Sequence, residues 1–266
     1  MIKKTCLFVI FTTVLLVSSF APALSQEGSL TVLLDKVTGR MSSYPDNDNW
    51  KYTVITRSTE MDKDWKPEKT TLITAAVKDA DNVMSGRIVK AVVIEDGNET
   101  DISEKISKQI LKRIEDTNKE RIEHKGSDRA EDELDRLFPF FKNKITKFNF
   151  RKTGDTVING KSVFIVEAVA KEKDTEIYEG TYYIDKKTYD VVKARIRPSK
   201  NPKFVKELDM DMDFEVLPEG NFMRRRSKTR VKGSFLFKKF RLIIEEEYTD
   251  VEIFNKNNRP DSAKIN

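Results

Sequence analysis

The second half of the chain is patterned throughout as β-strand, and this feature restricts the fold most. Between Lys144 and about Phe254, runs rich in Val, Ile, Tyr and Phe alternate with turn-forming residues, and no helical repeat separates them. Strands joined by short turns pair antiparallel, because a parallel pair needs a long crossover. Asn159 and Gly160, between two β-branched runs, give the strongest hairpin signal. The sequence therefore predicts an antiparallel sheet.

One strand of this series alternates strictly between apolar and acidic residues. Its apolar face carries Leu208, Met210, Met212, Phe214 and Val216. Its opposite face carries Glu207, Asp209, Asp211, Asp213 and Glu215, because strand side chains alternate with a period of two. The return strand is expected to present one basic face: Arg224, Arg226, Lys228, Arg230 and Lys232. The facing rows predict cross-strand ion pairs that fix the register.

The acidic row has an alternative interpretation as a calcium site built from Asp209, Asp211 and Asp213. Calcium takes about six to eight oxygen ligands that converge on one point. Carboxylates two residues apart on a strand instead lie in a row, about 6–7 Å from one another. Ion pairing is therefore the favoured interpretation.

An amphipathic helix is predicted before the first strand. Its apolar residues recur at the spacing of one helical face: Leu30, Leu33, Leu34, Val37 and Met41. Ser29 is the expected N-cap, and the proline and turn formers at 43–49 end the helix. From Trp50 the pattern changes to strands.

A second helical segment, residues 101–141, interrupts the strands. Isoleucine repeats every four positions at its start, with Asp101 or Ser103 as the cap. A break at 125–128 separates a second short helix that ends at Pro139. Neither helix has enough apolar surface to fold alone, so we interpret the segment as an insert in one domain.

The first 25 residues have the pattern of a signal peptide. Lys3 and Lys4 precede a short apolar run, and small residues before Ser25 predict cleavage near that position. A retained anchor is the alternative, although the run is shorter than the ~20 residues of a spanning helix. Export to the periplasm, a single domain over 26–254 and a flexible tail over 255–266 are therefore expected.

The chain has few residues that could perform catalysis. Its only histidine is His124, and its only cysteine, Cys6, lies in the predicted signal peptide. These numbers exclude a zinc site of the HExxH type and a Cys-His pair in the mature chain. Acidic pairs of the glycosidase kind remain an alternative, because Asp and Glu are abundant. We expect no enzyme activity, no cofactor and no bound metal.

The charge pattern is typical of a densely charged surface. The chain has 49 Lys and Arg against 44 Asp and Glu, and the two signs are interleaved along the sequence. Nucleic-acid binding proteins instead gather basic residues on one face or in one block. We therefore expect no nucleic-acid partner.

Three stretches resemble one known family. These are INGKSVFIVEA (158–168), YYIDKKTYDVVKARI (182–196) and EEEYTDVEI (245–253). They are similar to two hairpins and a late strand of the outer-membrane lipoprotein-sorting, or LolA-like, family. The resemblance implies an α+β, mostly antiparallel fold, in which a curved open half-barrel sheet is covered by an N-terminal helix and an inserted helical segment.

The resemblance also implies a function. Carriers of that family hold acyl chains between the sheet and its helices, so the expected cargo is a lipoprotein, a lipid or another amphiphile. The implied protein partners are an inner-membrane exporter and an outer-membrane acceptor. Seven residues are predicted to line the ligand cavity: Leu33, Val37, Phe164, Val166, Met210, Met212 and Phe214.

The alternative function is an envelope sensor or protein-interaction module on the same fold without lipid cargo. In that case the charged helical insert would dock on a partner, and side chains of the protein itself would fill the cavity. The two hypotheses differ in whether the inner surface of the sheet is open.

Overall fold

The structure, a computed structural model, describes residues 21–45, 49–80, 83–123, 136–236 and 238–254. The long α-helices in these ranges are α1 (Ala21–Met41) and α2 (Ser103–Glu123), and a short 3-10 helix spans Ile145–Lys147. The strands are β1 (Trp50–Met61), β2 (Pro67–Ala80), β3 (Val83–Glu95), β4 (Asn98–Asp101), β5 (Phe148–Ile158), β6 (Lys161–Ala170), β7 (Tyr178–Asp185), β8 (Val191–Pro198), β9 (Val205–Val216), β10 (Phe222–Phe235) and β11 (Lys238–Ile253).

Eleven strands of the described residues form one sheet in the order β4-β3-β2-β1-β11-β10-β9-β8-β7-β6-β5. Paired neighbours run antiparallel, and the sheet is curved and open. Its edges are β4 and β5, so the helical insert connects one edge with the other. The last strand, β11, lies between β1 and β10. These observations confirm the predicted fold class.

The pairing register assigns each strand residue to one of two faces. The inner face is the one that packs against α1, and the outer face is the opposite one. On the inner face, Ala194 of β8 pairs with Met212 of β9, and Met212 pairs with Ser227 of β10. Met212 belongs to the same buried cluster as Leu33 and Val37 of α1. This cluster is the core of the protein.

The core joins α1 and the segment 137–140 to the inner face of β5–β10. Its large members are Leu33, Val37, Leu137, Phe138, Phe140, Tyr182, Ile184, Met212 and Phe214. The Tyr182 hydroxyl donates a hydrogen bond to the Leu137 carbonyl oxygen at 2.8 Å, which fastens the segment to the centre of the sheet. Full burial of one such apolar side chain contributes about 1.5–3 kcal/mol.

Helix α2 covers the free edge of β3. The Asn118 side chain donates to the Met84 carbonyl and accepts from the Met84 amide, both at 2.8 Å. Ser103 Oγ accepts from the Ala91 amide at 2.8 Å. β4 pairs only with the last four residues of β3, Val92 to Glu95. The helix therefore satisfies part of a strand edge that would otherwise offer unpaired groups to another chain.

Helix α1 begins earlier than expected. It starts at Ala21 rather than after Ser29, so Ser29 lies within the helix and the prediction of an N-cap there is wrong. The predicted cleavage point after Ser25 also lies within this helix. Its end at Met41 agrees with the turn formers that follow. In α2, the Asp101 carboxylate accepts a hydrogen bond from the Ser103 amide at 2.7 Å, as the capping prediction requires.

Several predicted features lie outside the described residues. These are the signal segment up to residue 20, His124, the break at 125–128, residues 129–135 of the second short helix, and the tail 255–266. Among the helices within the described ranges, none has an apolar stretch long enough to cross a membrane.

Candidate functional site

The residues predicted to line a ligand cavity lie together on the inner side of the molecule. Five of them are buried in the core: Leu33, Val37, Val166, Met212 and Phe214. The other two, Phe164 and Met210, are partly buried and pack against it. The structure therefore brings all seven together in one apolar cluster. Their role as ligand contacts stays a prediction.

The half of the inner face that contains these residues is filled by the chain itself. The Phe138 ring meets the Phe214 and Phe222 rings edge-on, with centroid distances of 5.1 and 5.6 Å. Phe214 and Phe222 stack at 5.2 Å, and Phe140 meets Tyr182 at 5.0 Å. These contacts leave the half under α1 closed.

Burial decreases along the inner face towards β1. One continuous row of paired residues runs from Ile196 of β8 through Met210, Thr229 and Ile244 to Ser58 of β1. Ile196 is buried, whereas the following four are partly exposed. No residue of β1 or β11 in the described range is fully buried. An uncovered region therefore lies beyond the core.

Burial increases again at β3. Ala91 is fully buried, and a Cβ on Gly86 would lie 3.3 Å from the Ile114 Cδ1 of α2. The uncovered region between the core and α2 is named the open strip. It comprises Val54, Thr56, Ser58, Ile73, Leu242, Ile244, Glu246 and Tyr248. The strip offers a mixed apolar and hydroxyl surface flanked by two helices.

A polar cluster lies on the inner face where the open strip meets the core. The Arg224 guanidinium donates to the Tyr248 hydroxyl at 2.6 Å and lies 3.3 Å from the Glu246 carboxylate. The Ser227 hydroxyl donates to the same carboxylate at 2.9 Å. The Arg224 side chain is 17% exposed and that of Glu246 28% exposed, so both remain accessible to a ligand.

The position of Arg224 corrects the expectation that it shares the outer face with Arg226. The register between β9 and β10 shifts between these two residues, because a bulge adds one residue to β10. Arg224 consequently pairs with Phe214 of the inner face, whereas Arg226 pairs with Asp213 of the outer face. The sequence analysis therefore missed this cluster. The run of three arginines at 224–226 gave no signal for the bulge.

One carboxylate fastens the end of α1 to the turn between β7 and β8. Asp190 accepts hydrogen bonds from Arg40 Nε at 2.5 Å and from the Tyr44 hydroxyl at 2.7 Å. Burial alone would raise the pKa of Asp190, but hydrogen bonds from Thr188, Arg40 and Tyr44 outweigh it and hold the pKa below its ordinary value. Burial and the bond to Asp190 raise the pKa of Tyr44. Asp190 is therefore ionised at neutral pH.

The outer face carries rows of alternating charge. Lys193 of β8 pairs with Asp211 and, at 3.1 Å, with Asp213 of β9. Lys232 of β10 pairs with Glu207 of β9 at 2.6 Å. Cross-strand ion pairs are thus present as predicted. However, the carboxylates of Asp211 and Asp213 pair with β8, whereas the sequence suggested β10.

The basic row of β10 also pairs with β11. Arg226 contacts Glu247 at 2.7 Å, and Lys228 contacts Glu245 at 2.9 Å. Within the described residues, no group of three His, Cys, Asp or Glu side chains could hold a metal ion.

A groove of about 540 Å³ runs across this charged surface. Its charged lining contains Glu167, Glu179, Asp209, Asp211, Arg195, Arg197, Lys228 and Arg230. Most of these groups pair with one another or with neighbouring strands, as Arg197 does with Glu179 at 3.5 Å. Of the seven predicted ligand residues, Met210 also lines this groove, whereas the other six do not.

Several solved structures are similar to this chain over most of its length. One match is a putative outer-membrane lipoprotein-sorting protein domain from Vibrio parahaemolyticus, with 12% identity, 84% of this chain and 94% of that chain covered, and a TM-score of 0.39. Another is a LolA superfamily protein from Nitrosomonas europaea, with 10% identity and a TM-score of 0.35. The match covers 85% of this chain and 93% of that chain.

A third match is a DUF1329 family protein from Desulfovibrio piger, with 10% identity, 84% and 92% coverage, and a TM-score of 0.35. No protein-family model matches the chain. No curated protein matches it either.

Proposed function

We propose that the protein is an exported carrier or binding protein that holds an amphiphile, such as a lipid or the acyl chains of a lipoprotein, on the open strip. The observation that carries this proposal is the break in coverage of the inner face between the core and α2. Ile73, Leu242 and Ile244 offer apolar surface there without being fully buried. A ligand that covered such surface would gain about 25 cal/mol per Å² of apolar area removed from water.

The polar cluster gives this ligand an orientation. Arg224, Ser227 and Glu246 lie at one side of the strip, so the polar end of an amphiphile would lie there and its apolar tail across β11 and β1. The guanidinium donates hydrogen bonds to anionic or carbonyl oxygens, and two such bonds can form side by side. The function proposed is binding, because the cluster supplies hydrogen-bond donors and a carboxylate beside apolar surface.

The proposal is tested by ligand uptake in two matched variants. Ile244 faces the inner side and Ile243 the outer side of the same strand, since they pair with Thr229 and Arg230 respectively. Ile244→Asp should abolish uptake of a fluorescent fatty acid, and Ile243→Asp should retain it. Native mass spectrometry of the protein purified from the exported fraction should show a bound lipid mass. Equal uptake by both variants would contradict the proposal.

The alternative of a protein-interaction module is favoured by one observation on α2. Leu111 is 57% exposed on α2, where its exposed neighbours Lys112 and Arg113 are charged. A protein free of bound lipid that also takes up no fatty acid would support this alternative. Loss of partner binding in Leu111→Ser, with unchanged folding, would then identify α2 as the docking element.

A further inference from the structure

Three large apolar side chains are exposed together at one end of the sheet. Phe204 lies in the connection between β8 and β9, and Phe235 and Leu236 lie at the turn between β10 and β11. Their exposures are 47%, 54% and 80%. The Phe204 and Phe235 rings meet edge-on with a centroid distance of 5.0 Å, so the two connections form one apolar tip.

The backbone of this tip is unusual. Phe204 and Leu236 have φ angles of 70° and 53°, in the left-handed region. Glycine, asparagine and aspartate are the residues usually found there, and bulky apolar side chains are rare. Phe204 and Leu236 therefore combine a backbone conformation that is rare for bulky apolar residues with side chains that face solvent.

The two connections are fastened to each other. The Ser234 amide donates a hydrogen bond to the Phe204 carbonyl at 2.9 Å. A Cβ on Gly233 would lie 2.5 Å from that carbonyl oxygen and 2.3 Å from the Phe240 ring, so only glycine permits this close approach. The tip is therefore a defined surface whose side chains are held in fixed relative positions.

The two connections that form the tip are themselves basic. The neighbouring β6–β7 connection and β1–β2 turn, at the same end of the sheet, carry both signs of charge. The sequence stretches 198–206 and 231–241 contain seven basic residues and no acidic residue. Five of the lysines are exposed: Lys200, Lys203, Lys206, Lys238 and Lys239. Lys203 Nζ lies 5.0 Å from the centre of the Phe204 ring. The neighbouring carboxylate of Glu207 is already paired with Lys232.

We propose that this tip docks on the surface of an anionic lipid bilayer. Phe204, Phe235 and Leu236 would enter the boundary between headgroups and acyl chains, while the lysines contact lipid phosphates. Apolar residues at an apex, with exposed lysines beside them on the same two connections, match both layers of such a surface. A protein partner fits less well, because three side chains cannot supply the roughly 600–1,000 Å² per partner of a stable protein interface.

The proposal is tested by flotation of the mature protein with vesicles. Vesicles of phosphatidylethanolamine and phosphatidylglycerol should carry the protein to the top of the gradient, and vesicles of phosphatidylcholine should not. High salt should release it, because the lysine contacts are screened. The double variant Phe235→Ser/Leu236→Ser and the double variant Lys238→Glu/Lys239→Glu should each lower the bound fraction about tenfold or more.

Matched controls come from the other end of the sheet. Val157 is 63% exposed, and Lys187 is exposed in the turn after β7. Val157→Ser and Lys187→Glu should bind vesicles like the unmodified protein. Ile244→Asp should also bind vesicles normally, which separates docking from the ligand uptake proposed for the open strip. Failure to float with anionic vesicles, or equal losses in the control variants, would overturn the proposal.

Insertion is measured separately from adsorption. With Cys6 replaced by serine, Leu236→Cys provides one site for a dye that reports polarity. Anionic vesicles should shift its emission to shorter wavelength, and the same dye at Val157→Cys should not respond. If anionic vesicles left the dye emission unchanged at both positions, the proposal that the tip inserts into the bilayer would be wrong.

Discussion

At the scale of single residues, Asp190 has the largest structural consequence for the position of α1. Its carboxylate is 10% exposed and accepts hydrogen bonds from both Arg40 and Tyr44. Without the Asp190 carboxylate, the Arg40 guanidinium would lose its counter-charge and the Tyr44 hydroxyl would lose its acceptor. The end of α1 would then lose its main polar attachment to the β7–β8 turn.

Asp190→Asn should lower the free energy of unfolding by about 1–3 kcal/mol at neutral pH, measured by urea denaturation. The folded-state pKa of Asp190 is lowered, so its contribution is present above the unfolded pKa of about 4 and is lost as pH falls through the folded pKa. The difference between the two proteins should therefore shrink in acid. Asp209→Asn, at an exposed position, is the control. A difference that grows with acidity would contradict this assignment.

Arg224 is the residue that gives the open strip a polar end. Arg224→Leu should weaken binding of a fluorescent fatty acid about tenfold, because one hydrogen bond to a charged group contributes about 1.5–3 kcal/mol. Arg224→Lys should recover part of the affinity, since it keeps the charge. Arg226→Leu on the outer face is the control. Unchanged affinity in Arg224→Leu would remove the polar cluster from the site.

At the scale of elements, α2 has a protective function at the sheet edge. The Asn118 side chain bonds to the amide and the carbonyl of Met84, which a neighbouring strand would otherwise pair. An uncovered strand edge favours pairing with another chain. The helix therefore protects this strand edge from pairing with another chain and also borders the open strip.

Asn118→Ala should reduce stability by about 1–2 kcal/mol and increase aggregation on heating, because two backbone groups lose their partner. Light scattering during thermal unfolding measures the second effect. Lys112→Ala, at an exposed position of the same helix, should leave both properties unchanged. Equal aggregation of the two variants would show that the edge is protected in another way.

Element types were largely predictable, because periodicity depends on local sequence. The alternation in β9 predicted that Met210, Met212 and Phe214 share one face. The strand pairing confirms this placement. The bulge that turns Arg224 inward was not predictable, since Arg225 and its neighbours are all basic and no apolar residue marks the change of face. Bulges depend on how two strands pair, which no single strand encodes.

The candidate site was predictable only in part. Alternation assigns Val166 and Met212 to a face, but it does not say what covers that face. Coverage depends on α1 and on Phe138 and Phe140, which are distant in sequence from β6 and β9. Ile73 and Ile244 have equally apolar patterns and remain partly exposed. Tertiary contacts therefore decided which part of the inner face is closed.

At the scale of the whole molecule, the closed and open halves should respond differently to substitution. Met212→Ala should reduce stability by about 2–5 kcal/mol, since Met212 is 1% exposed in the core. Ile244→Ala should reduce it less, because Ile244 is partly exposed. Chemical denaturation measures both values. A loss in Ile244→Ala as large as that in Met212→Ala would indicate that the open strip is covered in solution.

The place of β11 has a consequence for how the protein is made. This strand is near the end of the chain, yet it alone pairs with both β1 and β10 and so unites β1–β4 with β5–β10. Until β11 is in place, the β1 edge of one group of strands and the β10 edge of the other remain unpaired. Pairing across such a sequence separation is slow and leaves apolar strands exposed meanwhile. The chain should therefore be most prone to aggregation before β11 pairs with β1 and β10.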